Sequence, residues 1–421
     1  MKKIFIITVS FLICSNFLSA QTWIELTSGT TNALYSVSAV NDHRVWACGA
    51  AGTVLLSVNG TTWQSVGSAP ISGALDLYNI FGIDSLTALV TGSNSTATYV
   101  FRTSNGGTNW IQVFTQPGGF IDAILMGNAQ AGFMVGDPVG GRWSLWGTIT
   151  GGVTWDSTQF RLPQSGTEAG WNNSFYFDNV SQAVWFGTNN SRIYRSSNLI
   201  IWGTQPTTGQ TSSSALWFTS STNGMAGGDS ILFTTTGGAL WSLTPSLMPG
   251  TTSILGITGI GSNWWVVRQA SVVYSTPNNG ANWSVSYTAP AGNYDHITQS
   301  RGGSPTLYAV RDNGGISKAT NLLVSVTPVS GNIPGSYSLK QNYPNPFNPS
   351  TIISYSLPSS SDVTLKVYDE LGKEVMTLVD AKQNAGKYEV KFDGSGLSSG
   401  MYFYTIQAGS FLQTKKLMLV K

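Results

Sequence analysis

The clearest alternation of polar and apolar positions lies near the C-terminus. Residues Lys387 to Asp393 switch strictly between charged or polar and apolar side chains, the period-2 signature of a strand with one wet face. Thr351 to Leu357 places Ile353, Tyr355 and Leu357 on one face, and Val363, Leu365 and Val367 repeat the pattern in the next run. Turn formers separate these runs: Leu357-Pro358-Ser359, Glu370-Leu371-Gly372-Lys373, Asp393-Gly394-Ser395-Gly396 and Ser399-Gly400. Short strands at this spacing predict a small β-sandwich of the immunoglobulin-like kind over 343–421.

Upstream, one unit recurs. A Ser/Thr/Asn/Gly turn runs into a tryptophan at Trp63, Trp110, Trp155, Trp202, Trp241 and Trp283, at intervals of 47, 45, 47, 39 and 42 residues, and Trp23 stands 40 before the first. Thr103-Ser104-Asn105-Gly106-Gly107-Thr108-Asn109-Trp110 is a full copy, and Ser196 to Trp202 is a weaker one without the glycines. Before each turn an apolar strand meets a glycine or polar turn, as in Val45-Trp46-Ala47-Cys48-Gly49 and Gly132-Phe133-Met134-Val135-Gly136, with the last copy at Leu307-Tyr308-Ala309-Val310. Seven such elements over 21–326 give about 44 residues each, the size of a four-stranded propeller blade. The seventh unit lacks its tryptophan, whereas Trp23-Ile24-Glu25-Leu26 is an extra copy at the other end. Ring closure accounts for both, with the N-terminal strand completing the last blade and leaving no open sheet edge. The fold expected is a seven-bladed β-propeller, within a range of six to eight, followed by the β-sandwich.

The ends and the composition refine this picture. Met1-Lys2-Lys3, an apolar stretch from Ile4 to Leu18 and the small-residue site Leu18-Ser19-Ala20 predict a signal peptide over 1–20. No later run approaches the roughly 18–20 apolar residues needed to span a bilayer as a helix. Pro328, Gly331, Pro334 and Gly335 predict a linker over 327–342. Of the basic residues, nine Arg and one Lys fall in 21–326, against eight Lys and no Arg from Tyr343 onward, consistent with two separate units. With 48 Gly, 12% aromatics and only 10% charged residues, the chain suits many short strands rather than helices. A net charge of +2 gives no case for nucleic acid. Cys48 alone would survive signal removal, so it reads as a small packed hydrophobe.

The tail resembles the type A C-terminal sorting domain of the type IX secretion system of Bacteroidetes and related bacteria. The resemblance rests on Tyr343-Pro344-Asn345-Pro346-Phe347-Asn348-Pro349, on Val367 to Val375 around Gly372, on Leu397 to Tyr404 with Gly400 and Tyr402, and on Thr414 to Lys421 with Lys415 and Lys416. It implies the type IX machinery as partner, passage through Sec and the periplasm, and a secreted or outer-membrane-surface destination. It also implies removal of the tail, and release of the cargo or its attachment to surface lipopolysaccharide. The Trp-bearing turns resemble the Asp-box of BNR, sialidase-like repeats, and the whole pattern is similar to photosystem II assembly/stability factor propellers. The sequence departs from the box by placing Asn59, Asn105 or Thr150 where that family prefers Asp. In that family the box packs the blade periphery, so the repeat tryptophans are expected to be structural.

Chemistry on the propeller is sparse. A sialidase-like hydrolase needs an arginine cluster, a tyrosine nucleophile with a glutamate, and an acid. Only Glu25 and Glu168 supply glutamates within 21–326, and Asp76, Asp84, Asp122, Asp137, Asp178, Asp229 and Asp295 are expected mainly as turn caps. His43 and His296 stand alone and are expected on the surface or in turns, so neither metal nor cofactor is expected. Arg142, Trp143, Trp146 and Trp171 fall outside the repeat positions, and aromatic faces beside Arg suit sugars or peptide side chains. They are the expected ligand-binding residues of a non-catalytic module for an extracellular glycan or protein. The alternative is a secreted glycoside hydrolase with degenerate motifs, and carboxylates clustered with two or three arginines at one channel mouth would favour it.

Overall fold

The computed structural model describes residues 21–320, 322, 327–328, 335–383, 385–394 and 397–420. The expected signal peptide and most of 323–334 lie outside the described residues. The chain divides into two compact units, Thr22–Leu322 and one that holds Leu323–Lys421.

The larger unit is a seven-bladed propeller of antiparallel sheets. Leu34–Ala39, Val45–Gly49, Val54–Ser57 and Trp63–Ser65 form blade 1, counted from the channel outward. The inner strands of blades 2 to 6 are Asp76–Gly82, Ile121–Met126, Gly170–Asp178, Ser213–Phe218 and Ile254–Ile260. Blade 7 begins with Tyr294–Gln299 and is completed on its outside by Thr22–Leu26, which pairs with Ile316–Thr320. The first and last parts of the propeller sequence thus share one sheet, as the extra Trp23 strand requires, and no blade is left to fray alone.

Blade 3 has only three paired strands, ending in Arg142–Thr148. The insertion that follows touches that edge at two points, Gly147 to Asp156 and Arg142 to Pro163, in place of a fourth strand. Cores form between adjacent blades. Trp46, Cys48, Ile80, Val90, Phe101 and Trp110 join blades 1 and 2, and Trp185, Leu216, Phe218 and Trp241 join blades 4 and 5. Cys48 is fully buried, and that burial pushes its thiol well above the ordinary range.

The Trp-bearing turns have the physical role read from their residues. Thr103 Oγ1 accepts from Asn105 N and Gly107 N, while Asn105 Oδ1 accepts from Asn109 N at 3.0 Å. Gly106 and Gly107 hold φ of 70° and 81°, where a side chain would be strained.

The C-terminal unit is a sandwich of two four-stranded sheets. Ser350–Leu357 and Gly386–Asp393 centre one sheet, while Ser361–Tyr368 and Gly400–Ala408 centre the other. Its core holds Phe347, Ile353, Tyr355, Val363, Leu365, Val367, Tyr404 and Leu417. The unit begins earlier than Tyr343, because Thr327–Pro328 pairs with Gly386–Asp393 and Ser338–Leu339 with Ser350–Leu357. The expected linker over 327–342 therefore contributes two short edge strands. Two-residue strands carry no periodicity to read, and Pro328 is tolerated at such an edge.

Candidate functional site: one mouth of the channel

Each inner strand starts at the same end of the channel, and six carry a one-residue bulge near that start. The bulged residues are Tyr35, Tyr78, Asp122, Ser214, Leu255 and Asp295. Blade 4 departs most: its inner strand advances from Gly170 to Phe175 while its partner moves only from Thr188 to Phe186. Trp171 to Ser174, four residues set against Gly187 alone, leave the ladder. Asn173 takes φ of 65° and donates from Nδ2 to Tyr35 O at 3.0 Å, and Asn172 Nδ2 donates to Tyr78 O at 2.8 Å. Blade 4 thereby reaches across to blades 1 and 2 and floors this mouth with amides.

Beside that floor runs an aromatic arc. The rings of Tyr35 and Tyr78 stack at 5.3 Å, and Phe120 meets Tyr78 edge-on at 4.8 Å. Trp171, 37% exposed, stands next to the floor residues in the chain. Carboxylates complete the setting. Burial, then Asp76, Tyr78 and Asp295, raise the Tyr35 phenol, so these groups lie within electrostatic reach of that ring. Burial first and Asp312 second push Asp295 up to about 7. Burial, with Asp137 adding to it, pushes Asp122 well above the usual carboxylate range. Asp137 Oδ1 accepts Gly170 N at 2.7 Å, and a Cβ on Gly170 would collide with the Asp122 carboxylate, so both acids flank this glycine.

Residues just past the bulges link the blades. His296 Nδ1 accepts Val37 N at 3.2 Å, Ser36 Oγ accepts Ile80 N at 3.4 Å, and Asn79 Oδ1 accepts Ile124 N at 3.0 Å. Each inner strand is a sheet edge facing the channel, and these side chains satisfy amides the ladder leaves free. His296 is thus an inter-blade linker on a strand, not the surface or turn residue expected. Its environment pushes the imidazole down to about 4, through burial. His43 does lie in an exposed turn. Asp84 and Asp178 cap turns as expected, but Asp122 and Asp295 occupy bulges instead.

Of the four ligand-binding residues expected from sequence, only Trp171 belongs to this mouth. Trp143 and Trp146 are repeat-strand residues of blade 3 rather than insertion residues. Trp143 is 2% exposed, packs on Phe186 at 4.7 Å and donates to Glu168 Oε1 at 3.3 Å. Trp146 packs on Phe114 at 4.8 Å. Arg142 is exposed at the adjacent hairpin turn, beside the bridge to Pro163. The mouth residues missed in the sequence, Tyr35, Tyr78, Asn172 and Asn173, are revealed by bulges, which no hydrophobic period announces.

The arginines go elsewhere. Arg268 donates to carbonyls of Pro249 and Thr252, Arg301 to Ser38 and Gly82, Arg102 to Gly151, and Arg311 to Glu25. Arg192 pairs with Glu168 at 3.6 Å, and Arg195 lies over Trp185. Glu168 also accepts Tyr194 OH at 2.6 Å and Ser165 N at 2.9 Å, holding the insertion. Among the described residues, no group of acids, cysteines and histidines could hold a metal ion. A cleft of about 730 Å³ also opens between blades 3 and 4, lined by Phe133, Phe160, Phe177 and Trp155 together with Asp156, Gln159 and Asn198.

In the C-terminal unit most motif residues serve the fold. Phe347 is 2% exposed and its N–H donates to Met418 O at 2.9 Å, while Asn345 Oδ1 accepts Met418 N at 2.9 Å. Pro344 O accepts from Thr351 and Asn342, and Tyr343 pairs its backbone with Ile352 while its ring is 81% exposed. Gly372 turns at φ 79°, Gly400 pairs with Leu419, and Tyr402 OH donates to Ser398 O at 2.8 Å. Asn348 and Pro349 lead into Ser350–Leu357, and Lys415 and Lys416 lie opposite Tyr404 and Phe403 on the last strand.

Comparison with known proteins agrees with both units. Residues 341–421 match the family model described as the secretion system C-terminal sorting domain. In three dimensions the chain is similar to YCF48 bound to a D1 peptide (15% identity, TM-score 0.55, covering 71% of this chain and 97% of that one). It is also similar to YCF48 from Cyanidioschyzon merolae (16% identity, TM-score 0.56, 71% and 98%). The WD40 propeller domain of Doa1 is a further match (13% identity, TM-score 0.53, 72% and 97%). No curated protein matches the chain in sequence. The chain is therefore a β-propeller carrying a type IX sorting domain. That domain engages the type IX machinery and marks the chain for export to the cell surface or extracellular space.

Proposed function

We propose that the exported propeller is a non-catalytic binding module that captures an extracellular glycan or polypeptide at the channel mouth floored by Asn172 and Asn173. The observation that carries this reading is the convergence there of the Tyr35–Tyr78–Phe120 arc, the exposed Trp171 and several acceptor groups. Aromatic faces beside a few fixed polar groups suit ligand recognition. The similar propeller solved with a D1 peptide lends support to a polypeptide ligand. In the same reading, residues 1–20 direct the chain through Sec to the periplasm. The sorting domain is removed after export, and the propeller is released or joined to lipopolysaccharide.

One arrangement favours the hydrolase alternative: Asp122 and Asp137 flank Gly170, and burial pushes the Asp122 carboxyl above the usual carboxylate range. Against it stands the commitment of Arg102, Arg192, Arg268, Arg301 and Arg311 to structural partners. The test is to screen the full chain on glycan and peptide arrays and on fluorogenic glycosides, beside Tyr78→Ala. Binding lost in Tyr78→Ala, without turnover by either protein, is expected. Turnover abolished by Asp122→Asn would replace this reading with hydrolysis.

A further inference from the structure

The floor and wall of the mouth hold a surplus of hydrogen-bond acceptors. Asp122 Oδ2, Asn172 Oδ1 and Asp295 Oδ2 are all buried, and none has a donor among the described residues. Asp122 is itself only 4% exposed. The orientation of Asn172 is fixed by its Nδ2, which donates to Tyr78 O, so Oδ1 is the end left over. A buried acceptor without a donor is costly, because its lost hydration is not replaced. Three at one mouth, beside stacked tyrosines, describe a place chemically matched to a group that only donates. The chain's own cations do not fill it. Arg311 donates to Glu25 through Nη2 and turns toward the Tyr294 ring, Lys318 donates to Gly60 O at 3.0 Å, and Arg301 lies over Phe81.

Resting on the binding-module reading above, we propose that the ligand is a polypeptide that inserts a lysine side chain into this mouth. A lysine ammonium carries three donors and no acceptor, its charge complements Asp76, and its methylenes and charge both suit the faces of Tyr35 and Tyr78. A neutral sugar hydroxyl brings an acceptor with every donor and satisfies this set less well. A carboxylate-bearing ligand would be repelled by Asp76 and would leave the unpartnered acceptors unsatisfied.

The experiment uses the full chain and a fluorescein-labelled trilysine peptide with blocked ends, followed by anisotropy, with trinorleucine and triglutamate as controls. Trilysine is expected to bind at least ~10-fold more tightly than trinorleucine, roughly the worth of one desolvated charge contact. Asp295→Asn and Asn172→Leu are each expected to weaken trilysine by roughly 5-fold or more. Asp295→Asn keeps the shape and neutral form of the buried acid, so its fold is expected to persist, which melting checks. Equal binding of trilysine and trinorleucine, or trilysine binding untouched by both variants, overturns the lysine assignment. Array glycans that bind in a Tyr78-dependent way while trilysine does not would also overturn it, yet leave the binding-module reading standing. Loss of neither glycan nor peptide binding in Tyr78→Ala would sink that reading as well.

Discussion

Asn173 Oδ1 accepts hydrogen bonds from both Ser36 Oγ at 2.9 Å and Asn79 Nδ2 at 2.7 Å, so a single amide of blade 4 fastens the inner strands of blades 1 and 2. Its Nδ2 donates to Tyr35 O as well, and its φ of 65° is the left-handed region where Asn is tolerated better than most residues. Asn173→Ala strands three polar groups and keeps the backbone strain, so it is expected to lower stability by about 2–4 kcal/mol. Asn173→Gly relieves the strain and should cost roughly 1 kcal/mol less. Urea unfolding of both variants checks the order. Equal stability of variants and parent would show that the amide bridge adds nothing to closure.

Ring closure has its own ionic lock. Glu25, on the N-terminal strand, accepts from Arg311, from Ser317 Oγ at 2.6 Å and from Tyr287 OH at 3.0 Å. The Arg311 side chain is 3% exposed and the Glu25 side chain 30%. Removing the carboxylate leaves a buried guanidinium uncompensated. Glu25→Ala is expected to cost about 2–3 kcal/mol, less than a fully enclosed pair because Glu25 is partly solvated. Deleting Thr22–Leu26 would bare the outer edge of Ile316–Thr320, and concentration-dependent aggregation by light scattering is the expected result.

Neighbouring residues Asp295 and His296 titrate in opposing senses. Asp295 is raised to about 7, through burial and Asp312, with Tyr35 also within electrostatic reach. The folded chain therefore holds this proton between about pH 4 and 7, where the unfolded chain releases it, and stability falls as pH rises through that window. His296 is lowered to about 4, so the unfolded chain binds the proton between about pH 4 and 6.5, and this contribution rises with pH. Asp295→Asn removes only the falling part. Thermal melts from pH 4 to 8 should show the variant gaining on its parent up to about pH 7, then a constant difference. A difference independent of pH would mean that Asp295 is ionised in the native state throughout.

How much of this was legible before the structure follows from what each residue does. Blades could be read because Trp63, Trp110, Trp241 and their equivalents must fill one recurring space, and a repeated steric need leaves a repeated letter. Closure was legible from Trp23, an unmatched copy. The mouth was not, because Tyr35, Tyr78, Asp122 and Asp295 acquire their role from a one-residue bulge that leaves the apolar pattern on either side intact. Trp143 misled for the complementary reason: blade 3 lacks its fourth strand, so a repeat-strand residue looked like part of an insertion.

Glu168 tests whether a buried acid in this propeller is scaffolding. It accepts from Tyr194, Trp143 and Ser165 and pairs with Arg192, joining the blade-3 insertion to blade 4. Glu168→Gln keeps the acceptor oxygen and is expected to cost about 1–2 kcal/mol, while Glu168→Ala should cost about 3–5 kcal/mol. Chemical denaturation gives both values. Ligand binding at the mouth should survive in the folded fraction of either variant; its selective loss would make Glu168 part of the site.

Phe347 fills the sandwich core, and its main chain holds both Met418 and Val420, so the motif around it fastens the final strand. Deleting 341–421 removes the sorting domain without touching any blade, because the propeller forms a separate unit. Cells making that truncated chain should retain a folded propeller in the periplasmic fraction, whereas the full chain reaches the surface or the medium. Phe347→Ala, a large-to-small change expected to cost about 3–5 kcal/mol in so small a core, should also block export. Lys416→Ala, at an exposed position, should leave the sandwich stable, so export of this variant separates recognition from folding. If Lys416→Ala is retained although it melts normally, the machinery reads that side chain directly. Normal export of the truncated chain would instead remove the tail from the sorting step altogether.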